Sequence, residues 1–399
     1  MQSVVAWLDF NSAEREQTQR LLALCQEREA RDELGLGGIR DSFSDHLFPG
    51  TSTIQTRLRY LFFVPWIYQA LADKRIPSRE IAERARKMEL GLSQPLLDAH
   101  GTEAGVFGRL AKEKLKRLPS SVYWAALRQY DFCRYLGGRD DFHRDFESLW
   151  RRRQRGREET DGGGDLSNNV WHPKLPTAPD DFPEHPTFYL RREEAEFFKH
   201  CLEARCPDSL LMYLAWNSKP VEIEFPWEHP DYGTFSERHQ ELLSHARVFS
   251  ETMHGAAILY NWMLAEIFPL KEKAAEYEAT FAEWAKEMEA AKPRVQNWDL
   301  GRFWQIARHP NHSITPQARA FVEHWVKLLL REGTSLGRSD EARNQVRKRE
   351  VDLKRERSRF KNRNALQNWG GAASLGRISF RWARADQFLR DLWEGLHQP

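Results

Sequence analysis

Apolar residues recur at steps of three and four along most of this chain, and strict alternation is scarce. The pattern runs through SAEREQTQRLLALCQERE (12–29), SREIAERARKMELGL (78–92), SVYWAALRQYDFCRYL (121–136), REEAEFFKHCLEARC (192–206) and SERHQELLSHARVFSETMHGAAILYNWMLAEIF (236–268). Each stretch offers one apolar stripe, so the segments are expected to be helices that bury their stripes against one another. Two short runs read differently. KPVEIEFPW (219–227) is a strand candidate ended by Pro226, and in RISFRW (377–382) Ile378, Phe380 and Trp382 alternate with charged or polar residues. The expected fold is therefore mainly α, with a few short strands in the C-terminal part.

At 399 residues the chain is too long for one simple core. Its 41% apolar residues and 15 Trp supply enough material for more than one. The stretch RRRQRGREETDGGGDLSNNVWHPKLPTAPDDFPEHP (151–186) has three consecutive glycines and no apolar periodicity, and reads as a linker or long surface loop. The expected organisation is a helical domain over 1–150, a linker over 151–187 and a second helical domain over 188–399. Nothing approaches 18 uninterrupted apolar residues, so no membrane span is expected. The opening MQSVVAWLDFNSAEREQ has neither the basic nor the apolar region of a signal peptide. Four sparse cysteines show no disulfide framework or zinc spacing. A cytoplasmic protein without cofactor is the reading.

Charge is the most uneven property. Between Arg338 and Arg363 the net charge is +6, against +2 for the whole chain, so the remainder sums to −4. The segment SDEARNQVRKREVDLKRERSRFKNRNALQNWGG is expected to form one helix over about 339–369, closed by Gly370 and Gly371. Its apolar stripe is thin: Val346, Leu353 and Phe360 stand seven apart. Such a helix would be a rod about 45 Å long. Arg343, Arg347, Lys348, Arg349, Lys354, Arg355, Arg357, Arg359, Lys361 and Arg363 would line it and could follow a phosphate backbone or dock an acidic partner. Arg377 and Arg381 would extend the positive surface.

The densest mixture of charges, hydroxyls and turn residues is RDELGLGGIRDSFSDHLFPGTSTIQTRLRY (31–60). Ser52 and Gln55 fit a capping box, with Gly50 supplying the turn, so a helix is expected to start there and run on through Leu58, Leu61, Phe62 and Val64. The functional alternative is an anion held by Thr51, Ser52, Arg57 and Arg59 at that helix start. GLGG lacks the spacing of a dinucleotide loop. Asp32, Glu33, Asp41 and Asp45 could gather a divalent metal for phosphodiester cleavage. Arginines equal in number beside them favour ion pairing instead. No motif for a catalytic triad or zinc protease occurs, so catalysis has no strong candidate.

AWLDF near the start, the 31–68 block and the late NWGGAASLGRISFRW together resemble an uncharacterised bacterial family known only as a domain of unknown function. The resemblance spans nearly the whole chain. It implies an accessory role beside helicases and phospholipase-D-like nucleases in antiviral defence islands, and it supplies no catalytic residues. The expected function is thus a non-catalytic component of an anti-phage system that binds DNA or scaffolds a helicase–nuclease complex. A metal-dependent nuclease using the acidic 32–45 region is one alternative, and an oligomerisation protein without nucleic-acid contact is another.

Overall fold

A computed structural model describes residues 32–101, 105–109, 114–159, 170–268 and 270–397. The helix expected at 12–29 lies outside them. The described residues are mainly helical, and among them no β-strand occurs; the two bridges, Cys133 with Trp171 and His309 with His312, are isolated. The fold divides into two units that each use two stretches of sequence: Met1–Phe43 with Leu242–Ile378, and Ser44–Glu241 with Ser379–Pro399.

The second unit is built around the helix Tyr60–Asp73, in which every residue from Tyr60 to Tyr68 is buried. A helix that is apolar all round has no face to give to water and must be enclosed. Ser78–Gly91, Pro119–Gln129 and Arg139–Glu159 pack against it, while Trp382–His397 lies on Arg192–Arg205 and Leu210–Asn217. Residues 170–191, which include the described remainder of the Gly/Pro-rich stretch and lead into Arg192–Arg205, are packed into this unit. Trp66 Nε1 donates to the Pro176 carbonyl at 2.8 Å, and the Phe182 ring stacks on Phe63 at 5.6 Å. Both flanks of that stretch belong to the same unit.

The helix does not begin at Ser52 as its capping box suggests; it begins at Tyr60. Half of the box is present, since Gln55 Oε1 accepts from the Ser52 amide at 2.9 Å. The amides that would continue a helix are claimed by other side chains. Tyr123 Oη accepts from the Thr56 and Arg57 amides at 2.8 and 3.1 Å, and Asp391 accepts from the Leu58 amide at 2.7 Å. The backbone groups are satisfied without helix, so the chain stays irregular for one more turn. Gly50, at φ +81°, allows the close approach of Tyr130, whose ring would lie 2.5 Å from a Cβ there.

The first unit packs Lys271–Ala290, Pro316–Glu332 and Asp340–Lys354 with the helix Glu237–Ile267 from Leu242 onward. Trp325 and Trp284 fill the space between these helices. Their indole nitrogens donate to the Thr252 and Glu251 carbonyls, each at 2.8 Å, so the large rings are buried with their polar ends satisfied. Gly255 lets Trp284 lie flush on the helix, because a Cβ there would stand 2.2 Å from the indole ring. Phe43, Phe249 and Phe303 form a stacked cluster in the same unit, with centroids 5.3 and 5.5 Å apart.

Two expectations about regular structure are corrected. Residues 219–227 are not a strand: the carbonyls of Val221 and Ile223 accept from Arg390 and from Trp382 Nε1, and Pro226–Glu228 is a 3-10 turn. Residues 377–382 cannot be one either, since Phe380 and Arg381 have φ of +53° and +66°, in the left-handed region. The long basic helix is also shorter than its sequence suggests. It ends at Lys354, followed by Arg355 at φ +50°, a 3-10 turn Arg355–Arg357 and a separate short helix Arg363–Gln367.

Candidate polyanion-binding surface

The helix Asp340–Lys354 starts on Ser339, whose hydroxyl accepts from the Ala342 amide, with Asp340 and Glu341 in its first turn. Ala342, Val346 and Glu350 are buried, so one face is fixed against the first unit. Beyond Lys354 the chain is pinned by Glu350. Its carboxylate accepts from the Ser358 hydroxyl and, at 2.8 Å, from the Arg359 amide, which draws residues 358–359 back alongside the helix.

Four of the ten cations between 343 and 363 are tied inward. Arg343 makes a two-pronged pair with Glu266 at 2.7 and 3.1 Å and lies over the Trp262 ring. Arg349 donates to the Leu34 and Gly35 carbonyls at 2.8 and 3.2 Å, and burial lowers its pKa. Lys354 and Arg359 converge on Glu33, Arg359 at 2.9 Å, and Arg359 also donates to Tyr260 Oη at 2.8 Å. A carboxylate 4% exposed between two cations is a closed, hydrogen-bonded ion cluster that specifies this fold of the segment.

The other six, Arg347, Lys348, Arg355, Arg357, Lys361 and Arg363, are exposed, and among the described residues none is in an ion pair with a carboxylate. Arg347 rests on the Phe360 ring at 5.5 Å. Only Asp352 and Glu356 are exposed acids in the same stretch. Glu356, Lys361, Asn362, Arg363 and Asn364 border an open groove of ≈ 290 Å³. Asn362 holds its wall in place by accepting from the Asn364 and Ala365 amides at 3.0 and 3.1 Å and donating to the Glu356 carbonyl at 2.9 Å.

The remaining sequence candidates sit elsewhere. Arg377 pairs with Glu251 at 3.5 Å in the first unit. Arg381 is part-buried in the second, reaching Asp45 at 2.6 Å and the Thr51 carbonyl at 2.8 Å. Of the four acids, Asp32 accepts from the Leu36 and Gly37 amides at 2.7 and 2.5 Å and so starts the helix Gly37–Leu47, Glu33 holds Lys354 and Arg359, and Asp41 pairs with Arg40 at 3.1 Å. Asp32, Glu33 and Asp41 do not form one cluster of ligand atoms.

Three of the four anion candidates at 51–59, Thr51, Arg57 and Arg59, are committed to internal partners. Thr51 Oγ1 donates to the Phe48 carbonyl at 2.6 Å, and Arg57 meets the buried Asp391 at 2.8 Å. Arg59 makes two 3.0 Å bonds to the buried Glu194 and adds the Thr187 carbonyl. Ser52 Oγ is buried without a hydrogen-bond partner among the described residues.

The late NWGGAASLGR stretch is laid along one face of the helix Glu237–Ile267. Asn261 accepts from Trp369 Nε1 and the Ala373 amide at 3.2 and 2.7 Å, Tyr277 Oη donates to the Gly371 carbonyl at 2.5 Å, and Arg377 reaches Glu251. The ten-residue spacing of Glu251 and Asn261 places them on a common side of the helix, a signal present in the sequence but readable only once its partner loop is known.

The sequence model of a family of unknown function (DUF6361) matches residues 2–395. The chain belongs to that family. No curated protein and no solved structure matches it.

Proposed function

We propose that this member of the DUF6361 family is a non-catalytic nucleic-acid-binding protein whose binding surface is Arg347, Lys348, Arg355, Arg357, Lys361 and Arg363. The observation that carries this reading is the sorting of one cationic segment into two sets. Arg343, Arg349, Lys354 and Arg359 are held by the interior, and the six others face water with no ion-paired carboxylate among the described residues. The inward set fixes the backbone from which the outward set projects, so binding has only the outward side chains left to immobilise. Guanidinium and ammonium groups in such an array suit phosphate oxygens, and binding would release counterions from the polyanion. The reading places the protein among DNA-handling components of anti-phage defence, as the resemblance implies, with a helicase or nuclease as assembly partner.

The test is the salt dependence of duplex DNA binding. Changing Arg355, Arg357, Lys361 and Arg363 to Gln should reduce the slope of log K against log salt by roughly 0.9 for each phosphate no longer neutralised. A control that neutralises Arg84 and Arg192, exposed in the second unit, should leave the slope unchanged. DNA affinity that is absent at low salt, or a slope equal in both variants, would overturn the reading. Retained binding to an acidic protein in that case would assign the surface to a protein partner.

A further inference from the structure

The loop that follows the basic helix carries a feature that attraction to phosphate does not explain. Among its exposed cations stands an exposed carboxylate, Glu356, in no ion pair among the described residues. Glu356, Lys361, Asn362, Arg363 and Asn364 border the ≈ 290 Å³ groove. The backbone beneath the groove is braced. The Lys361 and Asn362 amides donate to the Ser358 carbonyl at 3.2 and 2.8 Å, and Ser358 is itself buried and bonded to Glu350. The Asn362 side chain is used up within the loop, its oxygen by the Asn364 and Ala365 amides and its nitrogen by the Glu356 carbonyl. Those amides are thereby taken, so recognition falls to the side chains of Glu356, Lys361, Arg363 and Asn364. Among the described residues these four side chains have no hydrogen-bond or ionic partner.

We infer that the groove takes one unpaired guanine nucleotide of a single strand, with Lys361 and Arg363 on its phosphate and Glu356 and Asn364 on its base edge. The inference rests on the nucleic-acid reading of this surface and narrows it to a substrate. A carboxylate repels phosphate and can only accept hydrogen bonds, so its partner in a nucleic acid is an N–H or O–H donor. The Watson–Crick edge of guanine presents two N–H donors side by side, which matches the two oxygens of Glu356. Adenine, cytosine and thymine each present one donor group on that edge. The Asn364 amide supplies a donor for the neighbouring guanine O6. Base pairing hides this edge in a duplex, so the base has to be splayed out of a single strand. The groove stands near the lower end of ligand clefts, about 300 Å³, with room for one nucleotide rather than for a duplex.

The experiment uses the full chain and follows fluorescence anisotropy of short thymidine strands that carry a single central dG, dA or dC, or none. The dG strand should bind roughly tenfold more tightly than the plain thymidine strand. Annealing its complement should erase that advantage, because the edge is then paired. Glu356→Gln removes a negative charge, so it should bind every strand at least as tightly while losing the preference for dG. Asn364→Ala, a second exposed substitution, should reduce the preference without changing the salt slope. Equal affinity for all strands would overturn the inference and leave the proposed function standing. So would a Glu356→Gln variant that tightens every strand alike and keeps the dG preference. Absence of binding to single strands and duplex alike at low salt would overturn both.

Discussion

Single side chains do much of the work that local sequence assigns to regular structure. Asp391 and Tyr123 capture the amides of residues 56–58 from positions 333 and 67 residues away in sequence, respectively, so a start signal with sound local chemistry produces a turn. Gln55 reaching back to Ser52 is legible because both residues lie within four positions. The competitor that displaces the helix is not, because no local pattern encodes it.

Glu89 gives a measurable case at the same scale. It is buried, accepts from the Ser120 amide at 2.7 Å, and burial raises its pKa from 4.5 to about 7 despite opposing hydrogen bonds and the nearby Arg139 and Arg86. Between those two values the folded protein keeps a proton that the unfolded chain has lost. Stability should therefore fall as pH rises through that window, by on the order of 3 kcal/mol, and level off above about 7. Glu89→Gln keeps an acceptor for Ser120 and removes the titration. Urea midpoints measured near pH ~5 and ~8 should differ more for the parent protein than for the variant; equal differences would exclude Glu89 as the cause.

Elements are legible where their pattern is local. Ser78–Gly91, Arg192–Arg205 and Glu237–Ile267 fall close to the periodic stretches that predict them. The sequence over-extends the basic helix for a physical reason. Its helix-forming Lys, Arg and Glu continue past residue 354, but Glu33, 321 residues away, and Glu350 impose a turn. The thin apolar stripe suggests poor anchoring, yet Val346 is fully buried and ion clusters supply the rest.

The turn itself stores a correctable cost, since Arg355 occupies a left-handed conformation that a residue with a Cβ adopts reluctantly, at a position following a helix where glycine is favoured. Arg355→Gly should raise stability by up to about 1 kcal/mol and, if Arg355 touches phosphate, lower the salt slope of DNA binding by roughly 0.9. Chemical denaturation and a salt titration of the same variant check both halves. Reduced stability would show that the side chain makes interactions outweighing the backbone relief.

At the scale of the molecule, the three- and four-residue recurrence of apolar residues correctly places the chain among mainly helical proteins. The described part contains no helix long and apolar enough to cross a membrane. The path of the chain is not legible, because each unit is assembled from two distant stretches and sequence order says nothing of which stretches meet. Two arginines of the second unit, one buried and one half-buried, make the consequence testable. Arg57 depends on Asp391 and Arg59 on Glu194. A fragment covering residues 1–187 lacks both carboxylates and would strand the half-buried Arg57 and the buried Arg59, the latter at roughly 3–5 kcal/mol, a large share of the stability of an ordinary domain. Expressed alone, that fragment should be insoluble or unfolded by circular dichroism, and co-expression with 188–399 should restore it. Cooperative unfolding of 1–187 by itself would show that the carboxylates are dispensable.

For the proposed nucleic-acid surface, the reversal of the chain after Lys354 also sets a length scale. A straight rod would have lain against some 45 Å of nucleic acid, whereas a fifteen-residue helix measures about 22 Å and residues 358–359 turn back onto it. That is less than one ~34 Å turn of duplex. On the proposed nucleic-acid reading such a knuckle would grasp a spot and let the strand pass on, so extending an oligonucleotide beyond a single turn should add places to land without strengthening any one grip.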